Sequence, residues 1–172
     1  MLVAQRNQQA EQQWRRQRCD DLLALLLSDA GDSPRLIDEA QQLGLKPQMN
    51  RVPYLFELGM EQGPGHTVEA LSAWLTSRHP DSWCISSGKS SLLWCRPASQ
   101  AVEHERLLEK LDGLGWNILR IAVGEQADGL SGLRRCNRQV GDLLAYGRDV
   151  VPRTRLLTLN RYRLPVMLWR HR

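Results

Sequence analysis

The stretch that most restricts what this chain can fold into lies at residues 83–95. Trp83-Cys84-Ile85-Ser86-Ser87 and Ser90-Ser91-Leu92-Leu93-Trp94-Cys95 are two short runs separated by Gly88-Lys89. Glycine followed by any residue suits a two-residue type II′ loop, so the spacing predicts a β-hairpin. In that register Ile85 faces Leu92 and Trp83 faces Trp94, which makes the cross-strand pairs mutually apolar. A lone hairpin is marginal in water and needs more strands or a helix over one face. The flanking segments therefore decide the architecture.

Before the hairpin, Val52 to Leu58 alternates as a strand, with Val52, Tyr54, Phe56 and Leu58 on one face. Pro53 lacks an N–H and belongs near the strand start or on an edge. Glu61-Gln62-Gly63-Pro64-Gly65 is a loop, and Thr67 to Ser77 predicts a helix with Val68, Leu71 and Leu75 inward and Ala70 and Trp74 beside them. After the hairpin, Ser99 to Gly113 predicts a helix carrying Val102, Leu107, Leu108 and Leu111. Trp116 to Gly124 alternates as a strand, with Ile118, Arg120 and Ala122 on one face and Leu119, Ile121 and Val123 on the other. A helix follows from Leu130 to about Tyr146, its inward residues being Leu133, Cys136, Val140, Leu143 and Leu144. Pro152 breaks it, Arg155 to Leu159 makes a last short strand, and Leu164 to Trp169 begins a tail helix.

The resulting order, β-α-β-β-α-β-α-β, points to an α+β domain: a ferredoxin-like, antiparallel-containing sheet with helices packed on one side. Upstream, Val3 to Arg18 is polar and Gln-rich, with Trp14 its one large aromatic. Lacking Gly and Pro, it continues helically into Leu22 to Leu27, and a polar helix of this length needs a partner or a neighbouring domain. Gly31-Asp32 ends it. Ser33 then fits an N-cap, Pro34 the first helical position, Leu36, Ile37, Ala40 and Leu43 an apolar stripe, and Gly44 the closing residue. The expected organisation is a connecting helix over 1–30, an α+β domain over 31–163, and the start of a truncated linker helix over 164–172.

With 172 residues, 42% of them hydrophobic, the chain can bury the core of one domain. Cys19, Cys84, Cys95 and Cys136 form no CxxC pair, which suits reduced and mostly buried thiols in a cytoplasmic protein. No apolar run approaches the ~18 residues of a membrane span, and the Gln-rich N-terminus lacks the pattern of a signal peptide. The net charge is +4, and of 23 basic residues only Lys46, Lys89 and Lys110 are lysines. A basic total without a defined patch does not make a nucleic-acid binder.

The search for chemistry excludes one class after another. Gly88-Lys89-Ser90 lacks the upstream glycine of a phosphate loop, since Trp83 stands at that spacing. His66, His79, His104 and His171 are isolated, and Glu103-His104-Glu105 on a helix points to different sides. Cys84 and Cys95 lie on facing strands, but two soft ligands without a third make no zinc site. No Ser or Cys carries a nucleophile motif. The arginines cluster at 15, 16 and 18, at 134, 135 and 138, at 148, 153 and 155, and at 161, 163, 170 and 172. Ile121 to Gly124 shows none of the exposed aromatics of an RNA-binding sheet, so these arginines are expected to be solvated or to face a neighbouring domain. The expectation is a non-enzyme with no catalytic, cofactor-binding or metal-binding residue and no cofactor.

The C-terminal third carries a family pattern. Arg120-Ile121-Ala122-Val123-Gly124, then Gly129-Leu130-Ser131-Gly132-Leu133-Arg134-Arg135 and a helix ending Tyr146-Gly147-Arg148, precede Pro152, Arg155 and Leu164-Pro165-Val166-Met167-Leu168. This run resembles the central, GGDEF-like domain of CdaR-type transcription regulators that respond to sugar diacids. Cys19-Asp20-Asp21-Leu22-Leu23 and Ala40-Gln41-Gln42-Leu43-Gly44-Leu45 also fit the segment opening that domain. Cys136, Asn137, Val140, Leu159 and Arg161 depart from the family's pattern. In GGDEF enzymes the catalytic signature occupies the central hairpin, where glycines approach the nucleotide and carboxylates assist metal binding. Here that turn is Ser86-Ser87-Gly88-Lys89-Ser90-Ser91, without an acid, and the first strand offers only Glu57.

The resemblance implies an N-terminal sensor domain and a C-terminal helix-turn-helix domain as neighbours, with DNA contacted only through the latter. Two readings follow. One is a signal-relay module that self-associates, with Val3–Leu27 and the helix after Pro165 carrying a change between domains. The other is a sensor that holds a small anion or nucleotide with arginines near Gly63-Pro64-Gly65 or at Arg134-Arg135. Membrane attachment is expected for neither.

Overall fold

The computed structural model describes the backbone of residues 1–172 and every side chain except those of residues 30 and 31. The chain divides into two compact units, Met1–Pro47 and Gln48–Arg172. In the first, α1 (Leu2–Leu26) is followed by a 3-10 turn (Asp29–Asp32) and α2 (Pro34–Gln42). Residues 1–17 are exposed throughout, and only the C-terminal part of α1 buries side chains: Leu22, Leu23 and Leu26. Arg18 grips Glu39 of α2 bidentately, Nε to Oε1 at 2.6 Å and Nη2 to Oε2 at 2.8 Å. Ser33 takes the N-cap position with Pro34 next, though its hydroxyl makes no capping bond. Gly44 closes the helix at φ +77°, a conformation that favours glycine.

The second unit is an α+β sheet domain. Its elements are β1 (Arg51–Leu58), α3 (Val68–Arg78), β2 (Trp83–Ser87), β3 (Ser91–Pro97), α4 (His104–Gly113), β4 (Ile118–Val123), α5 (Gly129–Val150), β5 (Leu156–Thr158) and α6 (Leu159–Arg170). The five strands lie in the order β2-β3-β1-β4-β5. β1 is central and antiparallel to both β3 and β4, while β5 is parallel to β4. This order of strands contains the ferredoxin-like arrangement with one strand added. Thr67 caps α3, its Oγ1 accepting from the Ala70 amide at 3.1 Å.

One face of the sheet presents Val52, Tyr54, Phe56 and Leu58 of β1, Leu92 and Trp94 of β3, and Ile121 and Val123 of β4. α3 covers it with Val68, Leu71 and Leu75, and α4 with Leu107 and Leu111. Tyr54 and Trp94 pair across the strands at 4.7 Å between ring centroids. The opposite face presents Pro53, Leu55 and Glu57 and is covered by α5. A methyl at Gly124 would lie 2.7 Å from Pro53 Cγ and 3.0 Å from Val140 Cγ1 of α5, and one at Gly147 would lie 2.3 Å from Leu157. Helices on one side alone is therefore corrected to helices on both. The reason is that Leu133, Val140, Leu143 and Leu144 form a second apolar stripe, which needs a sheet face of its own. The β3–α4–β4 and β4–α5–β5 crossovers step the same way across the sheet between parallel strands, but over opposite faces. They are of opposite hand, an uncommon arrangement.

Several local expectations are corrected. The hairpin pairs Cys84 with Trp94, Ile85 with Leu93 and Trp83 with Cys95, one residue away from the sequence register. Its loop has three residues, Gly88 to Ser90, because the Ser90 carbonyl leaves the hairpin to accept from the Leu58 amide at 2.8 Å. Cys84 and Cys95 consequently lie on opposite sheet faces. Pro53 is near the start of its strand, but that strand is central. Its missing donor faces Gly124, just beyond the end of β4, and its carbonyl accepts from the Gly124 amide at 2.8 Å. Opposite Glu57 and Leu58, β4 bulges: Arg120 pairs with Glu57 and Ile118 with Leu58. Leu119 is the extra residue and stands 41% exposed, while Ile118 joins Ile121 and Val123 in the core.

α4 begins at His104 rather than near Ser99, since Arg96 holds the Pro97 and Gln100 carbonyls in a turn. α5 runs four residues past Tyr146 to Val150. α6 begins at Leu159, with Pro165 inside it, because Leu159 and Val166 are buried and Tyr162 packs on Tyr146 of α5. Among the described residues no helix is long and apolar enough to cross a membrane.

Candidate functional site

The end of the sheet where β1 stops and the hairpin turns is where the resemblance places chemistry. The hairpin tip supplies Gly88 at φ +64° and exposed Ser86, Ser87, Lys89 and Ser90. None of these carries a carboxylate, and Gly88 supplies the positive φ that the turn needs. Ser91 ends the tip, pairing with Ser87 across the hairpin and with Glu57 of β1.

Glu57, the one acid of β1, is already engaged. Arg120, its partner across the strands, brings Nη1 to 3.3 Å from both carboxylate oxygens. Arg148 of α5 adds a bond from Nε to Oε2 at 3.0 Å. Arg120 also donates from Nη2 to the Pro152 carbonyl at 3.1 Å, which ties β4 to the segment after α5. The side chains of Glu57 and Arg120 are each 15% exposed. A carboxylate facing two guanidiniums is electrostatically satisfied, and a divalent cation beside it would meet net positive charge. Among the described residues no group of three or more His, Cys, Asp or Glu side chains is placed to hold a metal ion.

The loop after β1 is closed by a clamp. Gln62 Nε2 donates to the carbonyls of Gly59 and Asn117 at 3.0 and 2.8 Å, and its Oε1 accepts from the Asn117 amide at 3.0 Å. The Gly59 amide donates to the Asn117 carbonyl at 2.9 Å. A methyl on Gly59 would meet the Asn117 side-chain amide, so a larger residue there has to displace that side chain. Farther along, His66 Nε2 lies 2.8 Å from the Leu114 carbonyl, with its ring edge-on to Trp116. Sequence reading gave no weight to Gln62 or Asn117; 55 residues separate them, and each is unremarkable alone.

A second polar group sits at the opposite end of β1. Arg51, 1% exposed, stacks its guanidinium 3.9 Å above Trp83 and donates to the carbonyls of Asp81 and Met49. Burial lowers its pKa to about 10. Arg96, 7% exposed, donates to the Pro97 and Gln100 carbonyls and to the Tyr54 hydroxyl, which lies 3.0 Å from His104 Nδ1. Burial, then the Arg96 charge among other neighbours, holds the His104 pKa below its ordinary value. These donors end on backbone carbonyls and side chains of the fold itself, so the group is structural.

The two places considered for a small anion lie apart in the fold. Gly63 to Gly65 lies between β1 and α3, whereas Arg134, half-buried, and Arg135, exposed, lie near the start of α5. The tail arginines are partly spoken for: Arg155 grips Asp112 bidentately at 2.9 and 2.7 Å, Arg163 pairs with Glu125, and Arg170 bonds Asp142 at 2.7 Å. Cys95 and Cys136 are buried and Cys19 and Cys84 half-buried, all four as free thiols; burial pushes Cys95 up to about 12, far from a nucleophile.

A family model described as a GGDEF-like domain matches residues 28–145. No curated protein matches the chain.

Proposed function

We propose that this chain, which belongs to the GGDEF-like domain family, is a non-catalytic relay and self-association domain of a CdaR-type regulator. Such a regulator would control transcription of genes for using glucarate, galactarate or glycerate in the cytoplasm. The supporting observation is the state of Glu57. The only acid of the central strand is held by Arg120 and Arg148, beside a hairpin tip without carboxylates. Two-metal phosphoryl transfer needs acids free to coordinate, and among the described residues neither the hairpin tip nor Glu57 supplies one. In the relay reading, α1 would take the change from a sensor domain and α6 would pass it to a helix-turn-helix domain, which alone would contact DNA. The exposed N-terminal two-thirds of α1, with Trp14 66% exposed, suits a helix that works against a partner.

The test is incubation with GTP and Mg²⁺ or Mn²⁺, following pyrophosphate and cyclic dinucleotide. No product is expected, and turnover that Glu57→Gln abolishes would overturn the non-catalytic reading. Thermal-shift titration with millimolar glucarate, galactarate, glycerate and cyclic dinucleotides should leave the melting temperature unmoved. A rise would favour the small-anion or nucleotide sensor, because ligand binding to the folded state stabilises it by RT ln(1 + [L]/Kd). Light scattering that finds a strict monomer at high concentration removes self-association from the proposal.

A further inference from the structure

We propose that the groove between α5 and α6 is a docking site for an acidic amphipathic helix of another polypeptide segment. The proposal does not depend on the relay reading. The groove encloses about 290 Å³ and is lined by Tyr146, Val150, Leu164, Pro165, Leu168 and, at its end, Trp169 and Arg172. Leu164 and Leu168 are each 65% exposed, and Met167 and Val150 beside them also face solvent. Aliphatic side chains this exposed on adjacent turns of one helix are unusual for a surface with no partner.

The inner side of α6 is fixed by its packing against the rest of the sheet domain. Leu159 and Val166 are buried, Tyr162 and Trp169 pack on Tyr146, and Arg163 and Arg170 pair with Glu125 and Asp142. The outer stripe at spacings of three and four is Arg161, Leu164 and Leu168, and Arg172, just past the end of α6, lines the groove there: two leucines bracketed by arginines. Residues 151–172 contain six arginines and no acid. Arg161 and Arg172 have no carboxylate partner among the described residues, although Asp149 neighbours Val150 in the chain.

Charge decides the occupant. Pairing α6 with a second α6, parallel or antiparallel, would bring arginines of the two stripes together at both ends. A helix that brackets leucines with carboxylates matches the stripe in both respects, the helix-in-groove mode of recognition.

A fluorescein-labelled peptide ELLEALLEELLEAL, with KLLKALLKKLLKAL as control, tests this on the whole chain. Anisotropy should show saturable binding of the acidic peptide alone, weakened by salt. The double variant Leu164→Glu, Leu168→Glu should keep the melting temperature, since both side chains are exposed, and lose at least tenfold in affinity. Equal binding of the lysine peptide, or undiminished binding by the variant, overturns the proposal. So does a dimer of the chain that the variant dissolves while the wild type ignores the peptide, an outcome that assigns the face to a second copy.

Discussion

The two ends of β1 handle charge in opposite ways. At the N-terminal end Arg51 and Arg96 are almost wholly buried, their guanidiniums lying against Trp83 and Tyr54 and donating to carbonyls. At the C-terminal end Glu57 lies nearer the surface and is matched by Arg120 and Arg148. Buried donors satisfied by backbone fix the chain's path, because removing them leaves carbonyls unpaired. A matched, part-exposed ion pair contributes less to stability but sets local charge. The first end thus builds the fold, and the second sets the charge beside the hairpin tip.

The comparison can be broken by measurement. Arg96→Ala should cost about 3 kcal/mol in urea unfolding, since it strips the Pro97 and Gln100 carbonyls and the Tyr54 hydroxyl of their donor. Gly59→Ala should cost about 2 kcal/mol by overpacking, through the clash with Asn117, and Asn117→Ala in the same chain should recover part of it. Glu57→Gln should cost about 1 kcal/mol, because it leaves Arg120 half-buried without its counter-charge. Arg148→Ala, at a side chain 52% exposed, should cost below about 0.5 kcal/mol. If Arg148→Ala proved as damaging as Arg96→Ala, the contrast between the two ends would collapse.

The smallest effect is on pH dependence. The Tyr54 hydroxyl, which accepts from Arg96, lies 3.0 Å from Nδ1 of His104; burial, opposed by Glu105 and aided by the Arg96 charge, favours the neutral ring of His104. Its folded pKa is below the ordinary 6.5, so the folded state binds fewer protons than the unfolded one. The stabilisation is therefore present above pH 6.5 and lost as pH falls through the lowered folded value. Melting temperature should fall across that interval, and His104→Gln should flatten the slope.

The strand and helix order was legible because alternation and helical stripes are local: Val52, Tyr54, Phe56 and Leu58 do share a face, as do Val68, Leu71 and Leu75. What escaped reading depends on distant partners. The hairpin loop takes a third residue because Ser90 serves β1, and Leu119 turns out of the sheet because Leu58 pairs with Ile118. The start of α4 is set by Arg96, a residue outside the helix. At the candidate site the absence of acids in the hairpin was plain from the sequence. That Glu57 is held by Arg148, 91 residues away, was not, nor was the Gln62–Asn117 clamp.

The central position of β1 matters for how the chain comes off the ribosome. β1 is the first strand synthesised, yet neither neighbour exists until β3 and β4 have been made, the nearer beginning more than thirty residues later. At about 5–20 residues per second, an apolar strand with both edges open waits for a few seconds. During that wait, chaperone capture and misassembly compete with folding, so a slowly translated stretch before residue 91 should lower soluble yield more than the same pause placed after β4.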